Sequence, residues 1–308
     1  MGMNILKQLY GDNLLTLNGV TYPVIVYPAN AATLDTILGD TPQSPRDDFA
    51  IYAADHLHKR QQTQLITNGE TYVLDELQIT PLRITARLGQ YFDMVATCDA
   101  LDHEMRDFLH GKRHSTPLRD AFHACIPPQQ ALYNGAGRSA TIGCAVLTVF
   151  HHNGQYQIML AQRAANLAVG AGLHHVLPAF VMQPPVWSVQ HQVFREYGEE
   201  LFAMPEFDAD YLDFPPIIEL RTMLNDGRAD LNLTGVAFNL LTLRAEICMR
   251  LVIHDPAWFI RNQHMLAAAN QTERQNTLYI PLNDLPQIPT DLTPQGAAAI
   301  WLGYKTMT

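Results

Sequence analysis

The chain has 308 residues, of which 47% are hydrophobic and only 16% are charged, and its formal net charge is −10. This length and composition suffice for two ordinary domains with sizeable cores, which excludes a disordered or strongly solvated protein. Because the acidic chain has no cluster of Lys and Arg, long nucleic acids are not expected as partners, whereas a small phosphorylated ligand is compatible with it.

Membrane segments and zinc sites are not expected either. No apolar run reaches about 18 residues, the length that a transmembrane helix needs, and the first residues do not resemble a signal peptide. The four cysteines lie far apart and form no Cys-x-x-Cys pair. We therefore expect a cytoplasmic protein that does not contact membranes.

The first half of the chain predicts a mixture of strands and helices. We expect a strand at residues 19–27 and a hairpin at residues 64–77, where Asn68-Gly69 is a turn signal. Apolar side chains recur at helical spacing over residues 82–109, which predicts a helix there.

A Gly-rich segment at residues 134–139 is typical of a linker between domains. We therefore predict an α+β domain at residues 1–137 and a second domain at residues 138–308. The first domain contains no motif that can be tied to chemistry. Its role stays open between substrate recognition, formation of a homodimer and binding of another partner.

The second half predicts a hairpin followed by a helix. Strands at residues 145–150 and 155–163 flank a turn, and a helix is expected at residues 186–203. The remaining predicted elements are a helix at 215–224, strands at 231–243, 245–253 and 278–282, a helix after Asp255-Pro256, and a last helix from Thr293-Pro294 to about residue 306.

The sequence Arg-Glu-Tyr-Gly-Glu-Glu at residues 195–200 lies within the predicted helix at 186–203. Helical spacing places Glu196, Glu199 and Glu200 on one face, at positions i, i+3 and i+4. Like charges repel each other there, so a helix gains from this pattern only if a cation is close. Carboxylate oxygens are ligands that Mg²⁺ prefers, and Arg195 is spaced to hold Glu199.

This segment and the hairpin before it resemble the Nudix superfamily, whose members cleave nucleoside diphosphates linked to another group. The family box reads Gly-x5-Glu-x7-Arg-Glu-U-x-Glu-Glu-x-Gly-U, where U is apolar. Its second half is matched by Arg195, Glu196, Glu199 and Glu200. The resemblance extends from about residue 141 to the end of the chain.

Several family positions differ in this chain. Counted back from the box arginine, the family Gly and Glu fall on Val181 and Trp187, and the last Gly falls on Phe202. The usual Leu-Pro-Gly-Gly loop continues here with Ala179 and Phe180 after Leu-Pro. These departures concern catalysis, because glycines let the backbone of this loop approach a metal ion.

The resemblance implies a C-terminal α/β/α sandwich with a mixed sheet, preceded by the α+β domain. It also implies metal ligands at Glu196, Glu199 and Glu200 for Mg²⁺ or Mn²⁺. Glu199 and Glu200 would act in catalysis, and Arg195 would orient Glu199. Glu273 is a candidate general base on a later loop, and the alternative for it is an exposed surface residue.

The resemblance places substrate contacts at Arg163, Ala179 and Phe180. An arginine can pair with phosphate through two hydrogen bonds, whereas the alternative for Arg163 is the capping of a strand edge. Ala179 can offer a main-chain carbonyl oxygen. Phe180 can stack on a base, and its alternative is packing against the helix.

Three hypotheses for function follow. The first is Mg²⁺-dependent hydrolysis of a nucleoside diphosphate derivative, for which the ligand is a small nucleotide. The second is a Nudix-fold protein that senses a nucleotide or acts as a scaffold with little or no catalysis. The third is an interaction protein in which the acidic helix is only a solvated surface.

Overall fold

The computed structural model describes residues 2–42, 44–64, 66–164, 172–205, 210–268 and 274–306. The helices are Gly2–Tyr10 (α1), Ala54–Thr63 (α2), Tyr91–Met94 (α3), Ala100–Leu109 (α4), Pro117–Cys125 (α5), Pro128–Ala131 (α6), Val189–Phe202 (α7), Pro215–Asp226 (α8), Trp258–Ala268 (α9) and Pro294–Lys305 (α10). The strands are Thr16–Leu17 (β1), Val20–Thr21 (β2), Val24–Pro28 (β3), Glu70–Ile79 (β4), Leu82–Gln90 (β5), Gly143–His152 (β6), Gln155–Arg163 (β7), His174–Val176 (β8), Ala179–Val181 (β9), Ala229–Asn239 (β10), Arg244–Ile253 (β11) and Arg274–Pro281 (β12). A π-helical turn at Val95–Asp99 joins α3 to α4, and 3-10 helices lie at Tyr211–Asp213 and Leu285–Gln287. None of the described helices combines the length and the apolar character that crossing a membrane requires.

One mixed sheet contains most of the strands. Across the described residues its order is β12-β7-β6-β11-β10-β3, with β8 beside β7 and β9 beside β6. β11 runs parallel to β6, so that Glu246 lies opposite Gly143, whereas the other neighbours are antiparallel. Parallel neighbours need a crossover connection, and the chain that joins β6 to β11 includes α7 and α8.

Helices cover both faces of this sheet. On one face α7, α8 and α9 contribute Val193, Leu220 and Trp258 to the larger hydrophobic core. On the other face α10 contributes Ala298 and Leu302 to a second core. A sheet that is apolar on both faces must be covered on both, and the predicted α/β/α sandwich with a mixed sheet is confirmed.

The predicted helix over residues 82–109 is wrong at its beginning. Leu82–Gln90 forms β5, which pairs with β4 in a separate hairpin, and the helix starts only at Tyr91. Leu82, Ile84 and Ala86 are buried at every second position, which is the alternation of a strand. The hairpin turn accordingly lies at residues 80–81 and not at Asn68-Gly69.

The predicted linker at residues 134–139 is buried rather than exposed. A Cβ on Gly135 would lie 1.7 Å from the carbonyl oxygen of Leu74, so the backbones of these two residues are in direct contact. In addition, β3 from the first half of the chain pairs with β10 and completes the sheet. The division at residues 1–137 and 138–308 stays a prediction, and residues from both ranges share the larger core.

Two buried arginines join the halves of the chain. Arg119 donates hydrogen bonds to the carbonyl oxygens of Leu240, at 2.9 Å, and Leu241. Arg138 donates to the carbonyl oxygen of Leu243 at 2.8 Å. Burial lowers the pKa of Arg138 to about 10, which leaves it charged at neutral pH. The turn between β10 and β11 is therefore held by charge-assisted hydrogen bonds from the first half.

Replacing Arg119 with Met should lower the free energy of unfolding by about 3–5 kcal/mol, because buried carbonyl oxygens would lose their donors. Urea denaturation followed by circular dichroism measures this change. Arg83→Met is the matched control, since Arg83 pairs with the exposed Asp40 at 3.3 Å and such pairs contribute at most about 1 kcal/mol. A loss for Arg119→Met that is no larger than the control would contradict the role of the buried guanidinium.

His175 of β8 is buried against the start of α10. Its Nδ1 atom lies 3.3 Å from the place where a Cβ on Gly296 would be, and it has no hydrogen-bond partner among the residues described. Burial lowers the pKa of His175 to about 3, and the positive charge of Arg163 acts in the same direction. The imidazole is therefore neutral in the folded protein at pH 7.

The free energy of unfolding should consequently fall as the pH drops below the ordinary histidine value of 6.5. The unfolded chain binds a proton at His175 near pH 6.5, whereas the folded chain binds it only near pH 3. Stability is lost by up to about 1.4 kcal/mol per pH unit between these values. Urea titrations from pH 7 to pH 4 should show a shallower slope for His175→Asn, whereas His58→Asn, which changes an exposed histidine, should keep the wild-type slope. Equal slopes for His175→Asn and the wild type would contradict the prediction.

Candidate functional site

Helix α7 carries the acidic segment, and its first turn is fixed to the preceding loop. The side chain of Ser188 accepts a hydrogen bond from the backbone N–H of His191 at 3.4 Å, which caps the helix. The amide of Gln192 donates to the carbonyl oxygens of Gln183, at 2.6 Å, and Val186, at 2.8 Å. The helix predicted at residues 186–203 is therefore present as α7, and its start is held firmly beside the sheet.

Arg195 holds two of the acidic side chains of α7. Its Nη2 atom donates to Glu196 Oε1 at 2.8 Å and to Gln192 Oε1 at 3.0 Å. Its Nε atom lies 3.8 Å from Glu199 Oε1. The predicted contact between Arg195 and Glu199 is thus a loose ion pair, and the adjacent Glu196 is the closer partner of the guanidinium.

Glu200 binds the first residue of β9. Its Oε1 atom accepts a hydrogen bond from the backbone N–H of Ala179 at 3.1 Å. β9 pairs in turn with the start of β6, where Phe180 lies opposite Cys144. The side chain of Phe180 packs against the larger core. The roles of Ala179 and Phe180 in substrate binding stay predictions.

The acidic face of α7 is not a solvated surface. Glu196 is 8% exposed and Glu200 is 9% exposed, and the side chain of Glu199 is 14% exposed. Removing a carboxylate from water is costly unless charged or hydrogen-bonding partners compensate for the loss. The burial of these side chains contradicts the third hypothesis, in which the segment is only a surface helix.

A metal site is not assembled by the described part of the chain. In residues 2–42, 44–64, 66–164, 172–205, 210–268 and 274–306, no group of three or more His, Cys, Asp or Glu side chains is arranged to hold a metal ion. The ligand set Glu196, Glu199 and Glu200 for Mg²⁺ or Mn²⁺ therefore stays a prediction. The candidate base Glu273 lies outside the described residues.

Arg244 and Glu246, at the start of β11, are candidate site residues that the sequence analysis did not identify. Each of them is 5% exposed. Burial raises the pKa of Glu246, and the positive charges of Arg244 and Arg163 oppose this effect. A signal for them exists in the sequence, because both charged residues open a run that predicts a buried strand, and charged residues are seldom buried without partners.

The α7 carboxylates and the β11 pair meet at one end of the sheet. Burial raises the pKa of the Cys144 thiol well above its ordinary value, and the negative charges of Glu246 and Glu196 add to the effect. Glu246 lies directly opposite Gly143, the first residue of β6. Glu200 binds the N–H of Ala179, which pairs with Ala145 of β6. Arg163 ends β7 at the same end of the sheet and influences Glu246. The role of Arg163 in substrate binding stays a prediction.

No family model matches the chain, and no curated protein matches it. Solved structures do match. NrtR of Shewanella oneidensis, complexed with a 27mer DNA, is 14% identical over 54% of this chain, at a TM-score of 0.35. The NUDIX domain of the same protein, complexed with ADP ribose, is 13% identical over 56% of this chain and 90% of that domain, at a TM-score of 0.34. RenU, a Nudix hydrolase from M. smegmatis, is 10% identical over 55% of this chain and 86% of that one, at a TM-score of 0.31.

These matches concern the fold alone. The match spans 61% of the NrtR chain that was solved with DNA. The exclusion of long nucleic acids, which we based on net charge, stays a prediction. The matched structures carry the family name that residues 195–200 predicted, and roughly half of this chain is similar to Nudix domains in its fold.

Proposed function

We propose that the C-terminal half binds a nucleoside diphosphate derivative and acts as a ligand sensor with little or no hydrolysis. The observation that carries this proposal is the engagement of the α7 carboxylates by the protein itself. Glu196 accepts a hydrogen bond from Arg195 at 2.8 Å, and Glu200 accepts one from the Ala179 N–H at 3.1 Å. Each of these two carboxylates therefore has a protein partner that compensates its charge without a cation.

Basic residues at the same end of the sheet support an anionic ligand. Arg163 ends β7, and Arg244 begins β11. Arginine binds phosphate oxygens through two parallel hydrogen bonds, which gives both affinity and orientation. The class of ligand follows from the resemblance of residues 195–200 to the Nudix box, since that family acts on nucleoside diphosphates.

Mg²⁺-dependent hydrolysis is the second candidate function, and one observation favours it. Glu196 and Glu200 lie one helical turn apart and are both buried, so they are close enough to share a ligand. In this alternative Glu196, Glu199 and Glu200 hold Mg²⁺ or Mn²⁺, Arg195 orients Glu199, and Glu273 or a box glutamate is the base. A bound divalent ion would supply charge neutralisation for the diphosphate.

ADP-ribose, the ligand in the matched NUDIX-domain structure, should stabilise the wild-type protein in the presence of EDTA. A ligand at a hundred times its Kd stabilises the folded state by about 2.7 kcal/mol, which is measurable as a rise in melting temperature. Prolonged incubation with Mg²⁺ should release no AMP from ADP-ribose, as measured by chromatography. A panel of nucleotide sugars and dinucleotides should likewise stay intact.

Glu200→Gln separates the two candidates. If the protein is a hydrolase, Mn²⁺ should raise the melting temperature of the wild type and start turnover, and Glu200→Gln should abolish both effects. If it is a sensor, Mn²⁺ should change neither. Glu219→Gln is the matched control, because Glu219 lies on α8 and pairs with Arg261. Turnover of any panel member by the wild type would overturn the sensor proposal, and absence of any ligand-induced stabilisation would overturn both.

A further inference from the structure

We infer that Arg244 and Glu246 form a recognition subsite for a phosphorylated sugar, covered by Tyr91 of the N-terminal half. Arg244 would bind an anionic oxygen of the ligand, and Glu246 would accept a hydrogen bond from a neighbouring sugar hydroxyl. This inference rests on the proposed function, because it names the part of a nucleoside diphosphate derivative that the site reads.

The carboxylate of Glu246 occupies a notch that only glycine leaves open. Gly143 of β6 lies directly opposite Glu246 in the parallel register. A Cβ at residue 143 would lie 1.7 Å from Glu246 Oε2 and 2.3 Å from its carboxyl carbon. Any other residue at position 143 would push the carboxylate out of its place, so the backbone of β6 sets where this charge lies.

The pair formed by Arg244 and Glu246 is buried but incompletely hydrogen-bonded. Arg244 donates through Nε to the carbonyl oxygen of Thr141 at 2.8 Å, and its Nη2 atom lies 3.9 Å from Glu246 Oε1. Across the described ranges, neither side chain makes another hydrogen bond. A buried ion pair that served stability alone would close to hydrogen-bonding distance, because unsatisfied buried charge is costly.

Two ion pairs outside the candidate site do close to that distance, whereas the Arg195–Glu199 pair of the candidate site stays at 3.8 Å. Arg46 Nη2 lies 2.7 Å from Asp75 Oδ1, and Arg60 Nε lies 2.8 Å from Asp99 Oδ2. Arg244 also keeps donors on its terminal nitrogens that Thr141 does not use. The 3.9 Å gap between Arg244 and Glu246 is therefore the geometry expected if a bound ligand completes the hydrogen bonds of both side chains.

Tyr91 brings the N-terminal half to this end of the sheet. Its backbone N–H donates to the carbonyl oxygen of Gly69 at 2.9 Å, which fixes the residue at the junction of β5 and α3. Burial raises the pKa of its hydroxyl, and the charges that act on it come from both halves of the chain, namely Asp99, Arg244, Arg163 and Arg60. A Cβ on Gly89, two residues before Tyr91, would lie 3.3 Å from Ser139 Oγ. The end of β5 therefore lies against the segment before β6, where Arg244 binds the carbonyl oxygen of Thr141.

The chemistry of these groups selects the ligand class. A guanidinium group binds phosphate oxygens, whereas a carboxylate accepts hydrogen bonds from hydroxyl groups. Held side by side, they match a phosphate that is joined to a sugar with a hydroxyl close to the linkage. A diphosphate without a sugar would bind Arg244 but would offer no hydroxyl group to Glu246. Inorganic pyrophosphate is therefore the comparison ligand.

Isothermal titration calorimetry with ADP-ribose and with inorganic pyrophosphate tests this subsite. Arg244→Lys should weaken the binding of both ligands by about tenfold or more, because the fork of donors is lost. Glu246→Gln should weaken ADP-ribose by about tenfold and leave pyrophosphate within about twofold of the wild type. Arg250→Lys is the matched control, since Arg250 lies further along β11 and donates to Gly303 and Thr306.

The outcomes are distinguishable. If the wild type binds neither ligand, the proposed function and the subsite both fall. If the wild type binds ADP-ribose and both variants bind it within about twofold as well, only the subsite falls. Should a β11 variant fail to fold by circular dichroism, Tyr91→Phe removes a single hydroxyl, with Tyr22→Phe as its control, because the Tyr22 hydroxyl donates to Thr290. A several-fold loss of ADP-ribose affinity in Tyr91→Phe supports the subsite, and an unchanged affinity overturns it.

Discussion

The hydrogen bonds of two buried arginines to one turn are the constraint on which the site depends. Arg119 and Arg138 donate to carbonyl oxygens of the turn that joins β10 to β11. Arg244 follows this turn directly, so its position is set by guanidinium groups that come from the first half of the chain. Because these carbonyl oxygens are buried, losing their donors would cost more than losing the same contacts at the surface. The N-terminal half is therefore part of the construction of the site.

Each buried carboxylate of the candidate site lies close to a hydrogen-bond donor or an arginine that compensates its negative charge. Buried carboxylates repel each other and lose hydration, so each needs a donor close by. Arg195 supplies one to Glu196, and the Ala179 amide supplies one to Glu200. At the start of β11 the compensation is looser, because Arg244 and Glu246 stay 3.9 Å apart. This difference between a closed and an open pair is the physical basis for expecting a ligand at β11.

The segment before α7 differs in sequence from the family pattern that the chain otherwise resembles. In the family this loop is rich in glycine, which lets the backbone turn towards a metal ion. Here Ala179–Val181 is a strand that pairs with the start of β6. The backbone groups that pair with β6 form ladder hydrogen bonds, and the Ala179 N–H points to Glu200. This chain therefore has a paired strand at the positions where the family pattern has glycines.

Sequence patterns determined much of the local structure. Apolar runs and turn signals predicted the hairpin of β6 and β7 and strands β10 and β11. The acidic motif predicted α7, and the cap at Thr293-Pro294 predicted α10. Strand β5 was not predicted, because the alternating burial of Leu82, Ile84 and Ala86 is followed directly by apolar residues at helical spacing. The acidic residues of α7 were also predicted, because helical spacing by itself brings them together. Only the tertiary structure decided that Gly143 lies opposite Glu246 and that Gly89 lies close to Ser139. Those residues are distant in the chain, and they meet through strand pairing and core packing, which no local pattern encodes.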